Sequence, residues 1–257
     1  MEKNQAYIYG RNAVEEAMRA DVELEKIYLA FGVKEGFINH IKKLAKKAKV
    51  PAVVLDKKKF GDMERDVLPR GAKSQGVLAL KSMADIYTVE QLADAALAEE
   101  NFPVLVALDD ISDPHNLGAI ARSVECSGAA GIILPQTNSA PLSPAAFKAS
   151  AGALEHIRVA KCGNLAMELD KLKQRGFWVI GTEMEAEHDY TDNIYDRPVV
   201  IIIGSEGKGM RPITKKSCDY LCKIPMKGRL NSLNASVTAG IMLFEILRQR
   251  SASEGSV

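Results

Sequence analysis

Short apolar runs and helical repeats alternate along the first 80 residues of the chain. The runs at 27–31, 52–56 and 75–80 are rich in β-branched and other apolar residues, and they predict three strands. Apolar residues recur at helical spacing from Phe37 to Ala48, and a shorter helix is predicted from Asn12, as its N-cap, to Arg19. We therefore expect residues 1–80 to form a small α/β domain.

The pattern weakens between residues 81 and 101, where one amphipathic helix has no strand signal around it. This segment is interpreted as a linker or bridging helix. Strand and helix signals alternate again from residue 102 to 250, which predicts a mostly parallel sheet covered on both faces. The predicted strands are 104–108, 131–134, 157–160, 177–181, 199–203 and 220–224, and the predicted helices are 117–127, 145–153, 165–174, 213–217 and 235–250.

The predicted last helix has an apolar side formed by Val237, Ile241, Phe244 and Leu247. The residues that follow it, 251–257, are small and polar, and they predict a disordered tail.

Composition adds limits to this picture. The 257 residues are 47% hydrophobic and 26% charged, which is typical of a soluble globular protein. The first ten residues are polar and lack the apolar core of a signal peptide, and the run at 199–203 is far too short to cross a bilayer. We expect a cytoplasmic protein without a membrane partner.

Charge is distributed unevenly along the chain. Residues 1–80 contain 16 Lys and Arg against 11 Asp and Glu, whereas the whole chain has a net charge of only +1. Lys42, Lys43, Lys46 and Lys47 lie on the polar side of the second predicted helix, and Arg11 precedes the first. These five residues are candidate RNA phosphate contacts, although a merely solvated helix face remains an alternative for the lysines.

The four cysteines do not have the spacing of a zinc site. Cys218 and Cys222 are the only close pair, and no second pair completes four ligands. Reduced thiols used as small core residues are the preferred interpretation, and no metal is expected.

Three loops that follow predicted strands have an unusual composition: 109–123, 201–212 and 222–236. Ligand sites in open parallel sheets form at the carboxyl ends of the strands, where such loops meet. Each loop also has an ordinary explanation, since Asn116, Ser232 and Asn234 could cap helices and the glycines from 204 to 209 could form a flexible turn.

The spacing of Gly204, Gly207 and Gly209 matches neither a dinucleotide fingerprint nor a Walker loop, since no Ser or Thr follows Lys208. NAD and nucleoside triphosphates are therefore not favoured. Glycines here would instead let main-chain amides approach a flat ligand such as adenine closely.

The three blocks NLGAIAR, GSEGKGM and IPMKGRLNSLNASV, in this order, resemble the SPOUT class of RNA methyltransferases, of the TrmH type. They are most similar to the branch that forms 2′-O-methylguanosine. The opening GRNAVEEAM is similar to the small L30e-like RNA-binding domain that precedes the catalytic domain in bacterial 23S rRNA guanosine methyltransferases. The chain departs modestly at Ala121, where relatives often have a larger apolar residue.

The resemblance implies a deep trefoil knot in a SPOUT domain over 102–250, a homodimer, and S-adenosylmethionine as cofactor. It also implies methylation of a guanosine ribose 2′-hydroxyl in 23S rRNA or a large-subunit assembly intermediate, with the peptidyl-transferase P-loop region favoured. The catalytic set carried over comprises Asn116, Arg122, Glu206, Ser232 and Asn234. The cofactor set comprises Gly204, Ile224 and Leu233, with Ile203, Gly209 and Met226 beside them.

Two roles for Arg122 stay open at this point. The family's scheme makes it the base, yet a guanidinium rarely gives up its proton. Alternatively, Arg122 stays protonated and holds an RNA phosphate while another group or water accepts the proton. His115 is a further candidate base, although shaping the loop is its preferred role.

Three other functions are alternatives to 23S rRNA methylation. A tRNA guanosine could be the substrate, or the chain could be a non-catalytic RNA-binding or ribosome-assembly protein that retains the fold. A dehydrogenase is disfavoured because its glycine fingerprint is missing.

Overall fold

The computed structural model describes residues 6–20, 22–69, 71–229 and 232–254. The chain divides into two compact units, one formed by Met1–Met83 with Pro141–Pro144 and the other by Ala84–Ala140 with Ala145–Val257.

The first unit contains a four-stranded mixed sheet. Its elements are β1 Tyr7–Tyr9, α1 Arg11–Arg19, β2 Leu24–Ala30, α2 Glu35–Lys47, β3 Ala52–Leu55, α3 Lys57–Val67 and β4 Val77–Lys81. The strand order is β1-β4-β2-β3, in which only β2 and β3 are parallel. The three strands predicted here are confirmed, and β1 adds a fourth at the edge.

Both faces of this sheet are covered because successive side chains of a strand point to opposite sides. Ile27 and Leu29 of β2 pack in one apolar cluster with Val14 of α1 and Ile41 of α2. Tyr28, between them in sequence, packs in a second cluster with Phe60 of α3.

Helix α3 was not predicted from the sequence. It buries only Phe60, so its apolar periodicity is too weak to detect. Its N-cap was readable, since the Asp56 carboxylate accepts a hydrogen bond from the Lys59 amide at 2.9 Å. That backbone hydrogen bond lowers the pKa of Asp56.

The second unit is built on an eight-stranded sheet. Its strands are β5 Ile86–Tyr87, β6 Val104–Asp109, β7 Gly131–Pro135, β8 Arg158–Cys162, β9 Trp178–Thr182, β10 His188–Asp189, β11 Val199–Gly204 and β12 Tyr220–Lys223. Its helices are α4 Val89–Glu99, α5 Pro114–Ser127, α6 Pro144–Ala149, α7 Leu165–Gln174, α8 Pro212–Lys216 and α9 Ala235–Glu254, with a 3-10 turn at Ala153–Glu155.

The strand order is β10-β12-β9-β11-β6-β7-β8-β5, and every pairing between these strands is parallel. The predicted parallel α/β sheet is therefore confirmed. Val200 and Ile202 of β11 belong to the core cluster that contains residues of α4 and α7, and Ile201 and Ile203, which alternate with them, are buried too. The sheet is thus apolar on both sides, as a buried parallel sheet requires.

The helix predicted between residues 81 and 101 is present as α4, but the interpretation of this segment as a linker or bridging helix is wrong for most of it. β5 pairs with β8, and α4 buries Leu92, Ala93 and Ala96 in the main core cluster of the second unit. A capping box at Thr88 and Gln91 starts the helix. The strand that supports α4 is distant in sequence, so local pattern did not reveal it.

The end of the chain also differs from the prediction. Helix α9 continues through Glu254, so residues 251–254 are helical and not a disordered tail. Residues 255–257 lie outside the described part of the chain.

The side of helix α9 that is buried differs from the apolar side predicted from Val237, Ile241, Phe244 and Leu247. Ala239, Met242, Leu243 and Ile246 are buried, whereas Val237, Phe244 and Leu247 are 48%, 48% and 40% exposed. The predicted apolar side therefore exists, but it faces away from the core of its own chain.

Candidate active site

Three segments distant in sequence meet at Glu206. The Asn116 side-chain amide donates a hydrogen bond to Oε1 of Glu206 at 3.1 Å. The Asn234 amide donates to Oδ1 of Asn116 at 3.0 Å and also to Oε1 of Glu206. The Ala235 main-chain amide approaches the same oxygen at 3.4 Å. We call Asn116, Glu206 and Asn234 the amide–carboxylate cluster.

Asn116 reaches this cluster because another residue caps its helix. The Asp113 carboxylate accepts from the His115 amide at 2.9 Å, and Pro114 occupies the first helical position of α5. Asn116 is therefore not the N-cap, and its side chain is available for Glu206.

Gly118 permits the close packing of α5. A Cβ atom there would lie 2.5 Å from the Ala149 Cβ and 2.6 Å from the Ala146 carbonyl oxygen. Gly118, two residues after Asn116, thus has a packing role.

Asn234 has two roles at once. Its Oδ1 accepts from the Ser236 main-chain amide at 2.9 Å, as an N-cap of α9 does, while its Nδ2 donates to the other members of the cluster. The helix-capping role considered for Asn234 is thus correct for Oδ1. The predicted role in the site concerns Nδ2.

Glu206 lies in a tight turn at the end of β11. Ser205 and Gly209 exchange main-chain hydrogen bonds of 3.1 and 2.8 Å, and Gly207 and Gly209 have positive φ values of 77° and 67°. Gly204 packs directly under the returning chain, where an added Cβ would lie 2.4 Å from the Gly209 carbonyl carbon. These glycines are required by backbone geometry.

A cleft of about 220 Å³ opens beside Glu206. Five of the six predicted cofactor residues line it, namely Gly204, Gly209, Ile224, Met226 and Leu233, together with the predicted catalytic residues Glu206 and Ser232. Ile203 does not line it, because that side chain is buried within β11 at 1% exposure. A lining that combines apolar side chains with glycine main chain suits a flat, partly polar ligand.

Arg122 is the predicted site residue that the single chain does not bring to the cluster. It is exposed on α5, six residues after Asn116, which is about 9 Å farther along the axis and on a different side of the helix. Within the described ranges, its side chain has no hydrogen bond or ion pair to a cluster residue. His115 is also exposed, one residue before Asn116.

Two charged pairs at this edge of the sheet were not predicted. Asp109, fully buried at the end of β6, pairs with Arg211, and Glu183, which lines the cleft, pairs with Lys215 at 3.0 Å. An acid directly after an apolar strand was a readable signal at Asp109, but its partner lies 102 positions away.

The candidate RNA contacts of the first unit differ in their surroundings. Lys42, Lys43, Lys46 and Lys47 of α2 are all exposed. Arg11 is partly engaged, because its Nε donates to the Gln75 carbonyl at 3.3 Å and its guanidinium lies 4.5 Å from the centre of the Phe37 ring.

The cysteines are free thiols. Burial raises the pKa of Cys162, Cys218 and Cys222 to about 12, so these thiols stay protonated at neutral pH. Among the described residues, no three His, Cys, Asp or Glu side chains are grouped closely enough to hold a metal ion. No described helix is long and apolar enough to span a membrane.

Comparison with known proteins identifies the family. Residues 103–244 match the SpoU rRNA Methylase family, and residues 7–85 match the family described as RNA 2′-O ribose methyltransferase substrate binding. YacO of Bacillus subtilis strain 168, assigned to the TrmH family of tRNA/rRNA methyltransferases, is 38% identical over 250 residues, covering 97% of this chain and 98% of that protein.

Solved structures agree with this match. The SpoU methyltransferase AviRb of Streptomyces viridochromogenes, crystallised with AdoMet, has a TM-score of 0.58 at 21% identity and covers 96% of this chain and 90% of its own. A TrmH/SpoU tRNA-modifying enzyme of A. aeolicus has a TM-score of 0.55 at 26% identity, covering 65% of this chain and 84% of its own. The chain is a member of the SpoU/TrmH family of RNA methyltransferases.

Proposed function

We propose that this protein transfers the methyl group of S-adenosylmethionine to the ribose 2′-hydroxyl of a guanosine in 23S rRNA, with the peptidyl-transferase P-loop region as the favoured target. The observation that carries the proposal is the amide–carboxylate cluster, whose Glu206 lines a glycine-rich cleft. The crystallisation of the related AviRb with AdoMet supports the choice of cofactor. This substrate implies a cytoplasmic enzyme.

The residues of the cleft fit such a cofactor. Ile224, Met226 and Leu233 offer apolar surface for an adenine ring, and the main chain around Gly204 and Gly209 can approach it closely. S-adenosylmethionine supplies an already activated methyl group. The chain must therefore position the hydroxyl and help remove one proton.

The cluster is suited to positioning. Glu206 holds the amides of Asn116 and Asn234 in fixed orientations, and Ser232 lies exposed on the rim, where a ribose could reach its hydroxyl. Holding an RNA phosphate is the role that the chemistry of Arg122 favours, because a guanidinium presents a planar fork of N–H donors that can bind a phosphate through two hydrogen bonds.

A homodimer would complete this site. Val237, Phe244 and Leu247 are three apolar side chains of α9 that the single chain leaves 40% to 48% exposed, as residues of a protein interface are. α9 also packs on α5, which carries Arg122, since a Cβ added at Gly240 would lie 3.7 Å from the Ser123 hydroxyl. We infer that a second copy covers α9 and that Arg122 then acts near the dimer interface.

The strand order supports a knotted chain. β12 lies in the sheet between β9 and β10, which are joined directly through residues 183–187. The chain after β11 thus returns to place β12 between two strands that are already connected, an order compatible with the trefoil knot that the family resemblance implies. A crystal structure in which residues 199–254 could be withdrawn without passing through a loop would contradict this inference.

The first unit, which resembles the L30e-like domain, is the proposed RNA-binding part, and the proposed catalytic part begins after Met83. Its α2 lysines carry the positive charge, and the family match over residues 7–85 supports the assignment.

Mapping of 2′-O-methyl groups tests the proposal. The purified protein, with S-adenosylmethionine, is offered total 23S rRNA, large-subunit precursor particles and total tRNA, and rRNA and tRNA from cells with and without the gene are compared. A guanosine methylated in 23S rRNA or in the particles supports the proposal. Methylation of tRNA alone favours the alternative substrate.

A non-catalytic protein is the remaining alternative. Isothermal titration with S-adenosylmethionine separates it from an enzyme, since a pure RNA-binding protein has no need of the cofactor. Absence of both binding and transfer on every RNA would overturn the proposed activity.

A further inference from the structure

Asp109 and Arg211 form a buried ion pair beside the candidate active site. The Asp109 side chain is 0% exposed and that of Arg211 is 40% exposed. The Arg211 Nε donates to Oδ1 at 2.6 Å, and the Arg211 main-chain amide donates to Oδ2 at 2.7 Å. Both carboxylate oxygens are thus occupied by one residue.

This pair joins the two ends of the turn that carries Glu206. In the β6–β11 register, Asp109 is the partner of Gly204, where the chain leaves the sheet. Arg211, where the chain returns, binds the carboxylate of the same Asp109. Asp109 therefore holds both Gly204 and Arg211, and Glu206 lies in the chain between them.

Asp109 also stands at the start of the segment that carries Asn116. The next residue, Asp110, has a positive φ of 63°, a left-handed conformation that Asp adopts more readily than most residues and that turns the chain as it leaves the sheet. Because Asp109 contacts the turn of Glu206 and precedes the segment of Asn116, a shift of Asp109 would reach two of the three members of the amide–carboxylate cluster.

A buried carboxylate without its partner is costly, so the folded state strongly prefers the arrangement in which Arg211 is bound. We propose that Asp109 and Arg211 are positioning residues: their ion pair sets the place of Glu206 relative to Asn116 and Asn234 and thereby the rate of methyl transfer. The kinetic part of this inference rests on the proposed function.

The test compares Asp109→Asn, Arg211→Gln, Arg211→Lys and the double variant Asp109→Asn/Arg211→Gln with wild type. Arg158→Gln is the matched control, because Arg158 forms an ion pair with Glu99 in the same unit and neither residue lines the cleft. We measure methyl transfer, the Kd for S-adenosylmethionine by titration, and the Tm. All assays are run at least about 15 °C below the lowest Tm. This margin keeps every variant folded, because a loss of about 1 kcal/mol of stability lowers Tm by only a few degrees.

We expect kcat to fall at least about tenfold in Arg211→Gln, corresponding to about 1.4 kcal/mol, while the KM for RNA stays within about twofold. Arg211→Lys should retain part of the activity, because it keeps the charge and the main-chain donor but lacks the Nε geometry. The double variant should be no worse than Asp109→Asn alone, since the two residues act as one unit. Arg158→Gln should behave as wild type.

Folded Arg211→Gln with kcat and cofactor Kd both within twofold of wild type overturns the inference, as do additive losses in the double variant. Should Asp109→Asn fail to fold, Arg211→Gln decides, since its side chain is partly exposed. A wild-type protein that transfers no methyl group contradicts the proposed function instead, and the cofactor titration then decides the role of the pair.

Discussion

The side-chain amide of Asn234 lies 3.0 Å from Oδ1 of Asn116, which joins two residues that are 118 positions apart. Glu206 receives hydrogen bonds from both, so the conformation of three separate loops depends on one carboxylate. Substitution of Glu206 should therefore change the rate of methyl transfer, and substitutions at the cleft, at α2 and at α9 should change binding or assembly.

Glu206→Gln should leave the fold intact and reduce methyl transfer by about a hundredfold. Glutamine keeps an Oε1 that can accept the same hydrogen bonds but carries no charge, so the bonds that hold the two asparagine amides become weaker, and small displacements of positioning groups are costly in rate. Single-turnover transfer measures the loss. Glu155→Gln, a change at an exposed glutamate in the same unit, is the control and should have no effect. Equal rates in wild type and Glu206→Gln would contradict a role for the cluster.

Gly204→Ala should abolish cofactor binding. The new Cβ would lie 2.4 Å from the Gly209 carbonyl carbon and 2.5 Å from the Met210 amide nitrogen, so the turn that forms one wall of the cleft must open. Titration with S-adenosylmethionine measures the effect. At Gly61, in contrast, no atom lies within 4 Å of an added Cβ, and Gly61→Ala should bind normally. Unchanged affinity in Gly204→Ala would show that this turn does not contact the cofactor.

Replacing Lys42, Lys43, Lys46 and Lys47 by alanine should weaken RNA binding and make it less dependent on salt. For every lysine that binds a phosphate in the wild type, its removal reduces the slope of log K against log salt by about 0.7 to 0.9. Filter binding between 50 and 200 mM salt measures the slope, and cofactor affinity should not change.

The lysines of α3 provide the comparison for that experiment. Lys57, Lys58 and Lys59 are exposed residues of the same unit on a different helix. If their replacement reduces binding as much per lysine as replacement of the α2 set, the RNA has no preferred contact surface on α2.

Phe244→Glu should convert a dimer into a monomer. The side chain is 48% exposed on the apolar side of α9, where a buried carboxylate without a partner would be strongly unfavourable in an interface. Sedimentation equilibrium measures the mass. Met167→Glu, at an apolar residue of α7 that is 54% exposed, should leave the dimer unchanged. A wild-type monomer, or a dimer that tolerates Phe244→Glu, would contradict the inferred interface.

Much of the fold could be predicted from the sequence because buried segments have a recognisable local pattern of apolar residues. The apolar run of β11 can only be a buried strand, and the alternation of such runs with helical repeats predicts a parallel sheet. Helix α3 lacked such a pattern, since it buries one side chain, and α4 was misinterpreted because its supporting strand, β8, lies far along the chain.

For the site, the amino-acid sequence alone determined which loops to consider together, since Asn116, Glu206 and Asn234 each follow a strand signal within a distinctive block. Only the tertiary structure decided which atoms meet. It assigned the cap of α5 to Asp113 and left Asn116 for Glu206, paired Asp109 with Arg211, turned Arg122 away from the cluster, and left Phe244 uncovered. The reason is physical: residue type and periodicity report local conformation and burial, whereas a hydrogen bond between side chains 90 or 118 positions apart depends on how distant strands align.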